Sequence, residues 1–295
     1  MTEPNQKTLA AEQAKKSVLV SIFVNIFLAS LQIVIGLFAH SQALFADGLH
    51  SLSDLVCDFL ALIAAHFSHK PADKEHPYGH YRYENAASLA LGILLMLTGI
   101  AMIHAAVDKL KMPHHSVHIS AIFIAILALI TKEALFRYML KAAKKARSAM
   151  LITNAWHARS DAASSLVAVI GTTGAVMGIE WLDPVAALLV GAMIMSMACK
   201  FSWQALQSLI DASADEQTLK QIENTINNQS GVLGFHQLRS RKAGNDVFID
   251  LHIEVYAYLS VLEGHEIAKN LRLALLEIEN VADVLIHVDP VTNKP

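Results

Sequence analysis

The chain has 295 residues, of which 54% are hydrophobic and 17% charged, with a formal net charge of −3. A soluble domain carries nearer a quarter charged residues, so the composition points to a membrane protein, and the near-neutral balance offers nucleic acid no basic surface. Against 15 His there are only 2 Cys, Cys57 and Cys199, both inside apolar runs. A disulfide framework or thiolate zinc cluster is thereby disfavoured, and imidazole and carboxylate are left as metal ligands.

Residues 1–16 are polar and end in Lys15-Lys16, which reads as a cytoplasmic tail. The apolar run that follows is too long for a signal-peptide core and has no small-residue cleavage pattern after it, so it is a retained span. Six apolar stretches reach spanning length, near Ser17–Ala39, Ala43–His66, Ala86–Val107, Val117–Arg137, Ser148–Met177 and Leu182–Phe201. Each has the roughly 20 residues a bilayer requires. Spans two and five carry several ionisable groups, so the expected arrangement is an all-α bundle of six transmembrane helices, over residues 17–207, with those groups facing inward. Lys and Arg concentrate in the tail (Lys7, Lys15, Lys16), after span two (Lys70, Lys74, Arg82) and after span four (Lys141, Lys144, Lys145, Arg147), while only Lys109 and Lys111 separate spans three and four. This asymmetry places both termini in the cytoplasm.

Residues 208–295 read as a small soluble α+β domain. A helix over Glu216–Asn228 precedes two strands, Phe235–Arg241 and Asp246–Val255, which flank the turn signal Lys242-Ala243-Gly244-Asn245. An amphipathic helix over Leu262–Ile278 and a β-branched run over Val281–Val288 complete the order αββαβ.

Polar residues recur at helical spacing in spans two and five. Asp47, Ser51 and Asp54 share one helix face, and His50 and Asp54 are also four apart. In span five, His157 and Asp161 are four apart, with Asn154 one turn earlier. A carboxylate in hydrocarbon costs several kcal/mol unless paired or solvated. Two acids and an imidazole from two helices are offset together by a dication, in the tetrahedral manner of Zn²⁺. By these boundaries Asp47 lies near the outer end of span two and His157 nearer the inner end of span five, so the two meet only if span two starts earlier or the helices tilt and stagger. In the loop after span two, Asp73, His76 and His80 are spaced by three and four around Pro77, as a folded loop. In the soluble domain, Asp250, His252 and Glu254 line one strand face, and His287 and Asp289 another. His236 opens an earlier strand and His265 begins the second helix.

These motifs resemble the cation diffusion facilitators, of the zinc/iron efflux type of bacterial inner membranes, along nearly the whole chain. The resemblance implies a transport site in which an Asp-x-x-x-Asp pair on span two joins a His-x-x-x-Asp pair on span five. His157 and Asp161 match the second pair and Asp47 the first Asp. The fourth position falls on Ser51, a poorer ligand, for which His50, Asp54 or Asn154 could compensate. The resemblance further implies a second site at Asp73, His76 and His80, and an ion pair between Arg82 and Asp211. In the cytoplasmic domain, of ferredoxin-like or metallochaperone-like fold, it implies a two-metal regulatory site at the dimer interface, formed by His236, His252, His265, His287 and Asp289. The expected function is a homodimeric exporter of divalent transition metals in exchange for protons, not an enzyme. Zn²⁺ is first choice as substrate and regulatory ligand, and Fe²⁺, Mn²⁺, Co²⁺ and Cd²⁺ are alternatives. A metal channel or uniporter and a membrane-anchored metal sensor without transport are the rival readings.

Overall fold

The structure, a computed structural model, describes residues 6–68, 70–111, 116–146, 149–244 and 246–292. Six long helices come first: α1 (Gln6–Phe38), α2 (Gln42–Ser68), α3 (Arg82–Lys111), α4 (Ser120–Ala146), α5 (Ala149–Val176) and α6 (Leu182–Leu209). They are followed by α7 (Glu216–Asn227), β1 (Gly234–Ala243), β2 (Asp246–Tyr256), α8 (Val261–Leu276) and β3 (Val281–Val291). Several helices outrun their apolar cores, α1 and α4 most plainly. α1 already begins at Gln6, inside the expected tail, and α4 continues past Arg137 to Ala146, because Lys, Arg, Gln and Ala propagate a helix as well as Leu does. The chain forms two compact units, Met1–Leu60 with Leu91–Lys200, and Ala61–Ala90 with Phe201–Pro295. The end of α2, the loop after it and the start of α3 therefore group with the C-terminal residues.

In the first unit the helices turn large apolar side chains outward, such as Phe23, Phe27, Leu97, Phe123 and Ile130, as a bilayer solvent favours. Within the described residues, 19–38 of α1, all of α3 and all of α6 are long and apolar enough to cross a membrane on their own. The other three long helices carry charged groups within their apolar runs, among them Asp47, Asp54, Lys132 and Asp161. Buried positions are dominated by alanine, including Ala29, Ala43, Ala46, Ala121, Ala128 and Ala168, because small side chains let helix backbones approach closely where no hydrophobic effect drives them together. Gly48 is one such approach. A Cβ there would lie 2.9 Å from both Gln32 Cβ and the Ile33 backbone nitrogen, so only glycine brings α1 this close to α2.

The second unit contains a three-stranded sheet in the order β1-β2-β3, antiparallel between β1 and β2 and parallel between β2 and β3. Alternate residues of β2 (Val247, Ile249, Leu251, Ile253, Val255) are buried with Ile222 and Ile226 of α7 and Leu271 and Leu275 of α8. That alternation leaves the opposite face of β2 free for polar chemistry. Asp215 caps α7 by accepting from the Thr218 N–H, and Ser260 with Glu263 forms a capping box on α8. The β1–β2 turn passes through Gly244 at φ +64°, where a Cβ would strike the Glu84 carboxylate at 2.7 Å. The hairpin tip thus packs on the first turn of α3.

Candidate metal sites

Within the membrane unit, α2 presents His50 and Asp54 on one face and α5 presents Asp161 toward them. Each offers a ligand atom, and those atoms lie within 4.8 Å of one another. His50 Nδ1 stands 3.7 Å from Asp54 Oδ2. Beside them is a cavity of about 20 Å³ whose walls include Ser51, Asp54, Lys132, Leu135, Ala158 and Asp161, room for a single body the size of a water or a metal ion. His157 falls on α5 one helical turn before Asp161; its side chain, like that of Asn154, lies outside the described residues.

The residues gathered on α2 differ from the Asp47 and Ser51 pair that the resemblance implied. Asp47 is fully buried but saturated by donors: Ser164 Oγ donates to Oδ1 at 2.7 Å, Ser165 Oγ to Oδ2 at 2.6 Å, and Gln32 Nε2 to Oδ2. Lys132 Nζ completes the set as an ion pair at 3.3 Å. The Asp47 carboxylate is thus engaged by groups of α1, α4 and α5. Ser51 directs its hydroxyl at the Asp47 carbonyl at 3.1 Å and lines the cavity. The pair gathered with Asp161 lies one turn further along α2. The sequence held a signal for it: His50-x-x-x-Asp54 has the same form as His157-x-x-x-Asp161. Lys132, Gln32, Ser164 and Ser165 carried no such signal, because an isolated polar residue in a span has no periodic partner.

In the second unit, Asp73, His76 and His80 come together as the spacing suggested. Asp73 Oδ1 accepts from the backbone N–H of His76 at 2.7 Å and of Glu75 at 2.9 Å. These bonds, that of His76 first, hold its carboxyl below the ordinary value of 3.8. His80 is buried, and its Nδ1 lies 3.2 Å from the Pro71 carbonyl. Donation there places the proton on Nδ1 and leaves Nε2, 3.4 Å from Asp73 Oδ2, as the lone-pair nitrogen. The expected ion pair also forms: Arg82 donates to the Asp211 carboxylate and to the Leu209 carbonyl.

On the open face of the sheet, strand register lines up three imidazoles: His236 pairs across to His252, and His252 to His287. A bulge between His236 and Arg239, with Gln237 at φ 50°, sets the first pairing. Asp289 serves all three. Its Oδ2 is 2.9 Å from His252 Nδ1 and 3.3 Å from His236 Nε2, and its Oδ1 is 3.3 Å from His287 Nε2. The hydrogen bond from His252, and then the nearby imidazoles, hold this carboxyl below its ordinary value. With its two oxygens facing different imidazoles, Asp289 has the geometry of a bridging ligand. His265 is exposed near the start of α8. Val288, on the other side of β3, packs toward the core.

Residues 18–210 match the family described as "Cation efflux transmembrane domain", and residues 214–291 the one described as "Cation efflux protein, cytoplasmic domain". Metal tolerance protein C1 of Arabidopsis thaliana is 34% identical over 296 residues, a match covering 95% of this chain and 63% of the plant protein's own length. Manganese efflux system protein MneS of Bacillus subtilis (strain 168) is 31% identical over 291 residues, covering 96% of this chain and 98% of its own. Among solved structures, the metal-bound C-terminal domain of the CzcD transporter from Thermotoga maritima is similar, with 30% identity over 27% of this chain and 93% of that one, and a TM-score of 0.25. Two matched domains that together account for nearly every helix and strand described above place the chain in the cation diffusion facilitator family.

Proposed function

We propose that the chain exports a divalent transition metal from the cytoplasm in exchange for protons, as a homodimer in a bacterial inner membrane with both termini inside. The observation that carries this reading is the His50, Asp54 and Asp161 group on α2 and α5, beside an ion-sized cavity in the membrane unit. Two carboxylates and a neutral imidazole carry two negative charges, which one dication cancels in a setting where uncancelled charge is costly. His157 joins as a fourth ligand by its helical position. An imidazole nitrogen cannot hold metal and proton together, so protonation from outside releases the ion. Mixed nitrogen and oxygen donors suit zinc better than the all-oxygen sets manganese favours. Manganese is nevertheless the ion named for MneS, and it is the substrate to test against zinc. The loop group at Asp73, His76 and His80 captures metal at the cytoplasmic side. Metal at His236, His252, His287 and Asp289 tightens the dimer and favours transport.

The test is metal-dependent proton flux in sealed proteoliposomes, with Zn²⁺, Fe²⁺, Mn²⁺, Co²⁺ and Cd²⁺ against an imposed pH gradient. Metal movement with counter-moving protons is expected, with Zn²⁺ fastest. His50→Ala and Asp161→Ala should each lower it by about a hundredfold or more. Flux indifferent to the gradient would make the protein a uniporter, and metal binding without flux would make it a sensor.

A further inference from the structure

Lys132 is 3% exposed and Asp47 fully buried in the membrane unit, joined by an ion pair at 3.3 Å. An ammonium within a span is expensive and rare, and this one has no part in the ligand set. Its position is informative. Lys132 forms part of the wall of the small cavity that Asp54 and Asp161 also line, and it is the one cation in that wall among the described residues, whereas Asp47 does not reach the wall. The positive end of the pair is therefore nearer the ion than the negative end. Asp47 is itself held from three elements: Gln32 of α1 donates to it, and so do Ser164 and Ser165 of α5. Its own bonds to Lys132 of α4 are the long ones of the set, 3.3 and 3.5 Å. The network fixes where the ammonium stands without neutralising its field at the cavity.

We propose that Lys132 is the affinity-setting residue of the ion site: a fixed cation at the cavity wall that opposes the bound metal and keeps its release fast. This rests on His50, Asp54 and Asp161 being the transport site. An exporter whose site holds two carboxylates and imidazole risks binding its ion too tightly to let it go. A standing positive charge corrects that without removing a ligand. Asp47, Gln32, Ser164 and Ser165 are then positioning residues that hold this ammonium, and the Asp47 charge, set further from the cavity, offsets only part of its field.

The experiment uses the full chain with the loop and sheet groups emptied (His80→Ala, His252→Ala, Asp289→Ala), so that only the membrane site reports. Zn²⁺ binding is measured in detergent and Zn²⁺ flux in proteoliposomes. K132Q is expected to bind Zn²⁺ about tenfold tighter, as the loss of one nearby charge predicts, and to transport with kcat and KM both lowered. K132R should restore both values toward those of the parent. D47N/K132Q removes both charges and spares the fold an unpaired buried carboxylate. It should also bind more tightly than the parent, by less than K132Q, because the nearer charge dominates. If K132Q does not fold, the double variant carries the test. Equal or weaker binding in the folded variants, or a fall in kcat with a rise in KM, would overturn the proposal and make the ion pair a packing device. If the parent protein binds no Zn²⁺ in this background, it is the assignment of the transport site that fails.

Discussion

At the scale of single residues, the carboxylate oxygens are the deciding atoms. Asp289 touches three imidazoles with two oxygens, whereas each imidazole touches only its own edge of the group. Asp289→Ala should therefore lower the Zn²⁺ affinity of the sheet group by about a hundredfold, and His236→Ala or His287→Ala by nearer tenfold, measured by titration of the full chain. Asp73 and Asp289 have lowered carboxyl pKa values, so both stay ionised at any pH near neutral. Metal binding at these groups should instead weaken as pH falls, because a proton and a metal compete for the same imidazole nitrogen. The carboxylates contribute the other way round. A group depressed on folding stabilises the fold above its ordinary value, and that contribution disappears as pH falls through the lowered one. The second unit should thus keep its far-ultraviolet circular dichroism down to about pH 4, well after its metal has gone. Strand alternation alone makes His252, His287 and Asp289 legible in the sequence. It does not show His236 opposite His252, because the bulge breaks the period. In α2, helical spacing admits two registers, which spacing alone does not separate.

At the scale of elements, the membrane unit depends on close helix contacts. Gly48 follows Asp47 directly, and its missing side chain lets Gln32 reach the Asp47 carboxylate. Gly48→Leu would place four carbons where α1 backbone already lies. A loss of about 1–3 kcal/mol is expected, read as a lower midpoint of thermal unfolding in detergent, with metal flux falling further than stability because Asp47 and Lys132 shift. The six long helices and the αββαβ order are legible from apolar length and from periodicity changing between 3.6 and 2. Helix ends are not, since α1 and α4 continue into charged sequence where hydropathy carries no information about backbone conformation.

At the scale of the whole molecule, the second unit gathers the end of α2, the start of α3 and the end of α6 with the sheet. Arg82 and Asp211 form the ion pair within it, both about half exposed. An exposed pair contributes little to stability, about 1 kcal/mol or less, so its loss should appear in transport rather than in unfolding. Arg82→Asp and Asp211→Arg should each slow flux in proteoliposomes, and the R82D/D211R exchange should recover most of it. If the exchange stays as slow as the single variants, the pair is an incidental surface contact. The sequence suggests this pairing only through family likeness, since the two residues are 129 positions apart and no local period connects them.

The alanine lining of the membrane unit has a mechanical consequence. Interfaces built from long interlocking side chains hold two helices in one register, because sliding means withdrawing each knob from its hole. A seam of methyl groups, such as that of Ala43, Ala168 and Ala186, is almost smooth. Gly171 lets α5 come so near α6 that an added Cβ would sit 2.3 Å from the Ala186 Cβ. Such a seam behaves as a bearing: it keeps the helices pressed together while offering little friction to a small slip along their axes. Ala186→Val would roughen that bearing with two methyl groups and leave every ligand in place. It is expected to leave Zn²⁺ affinity unchanged and to slow turnover, a separation that parallel binding and flux measurements on one preparation would reveal.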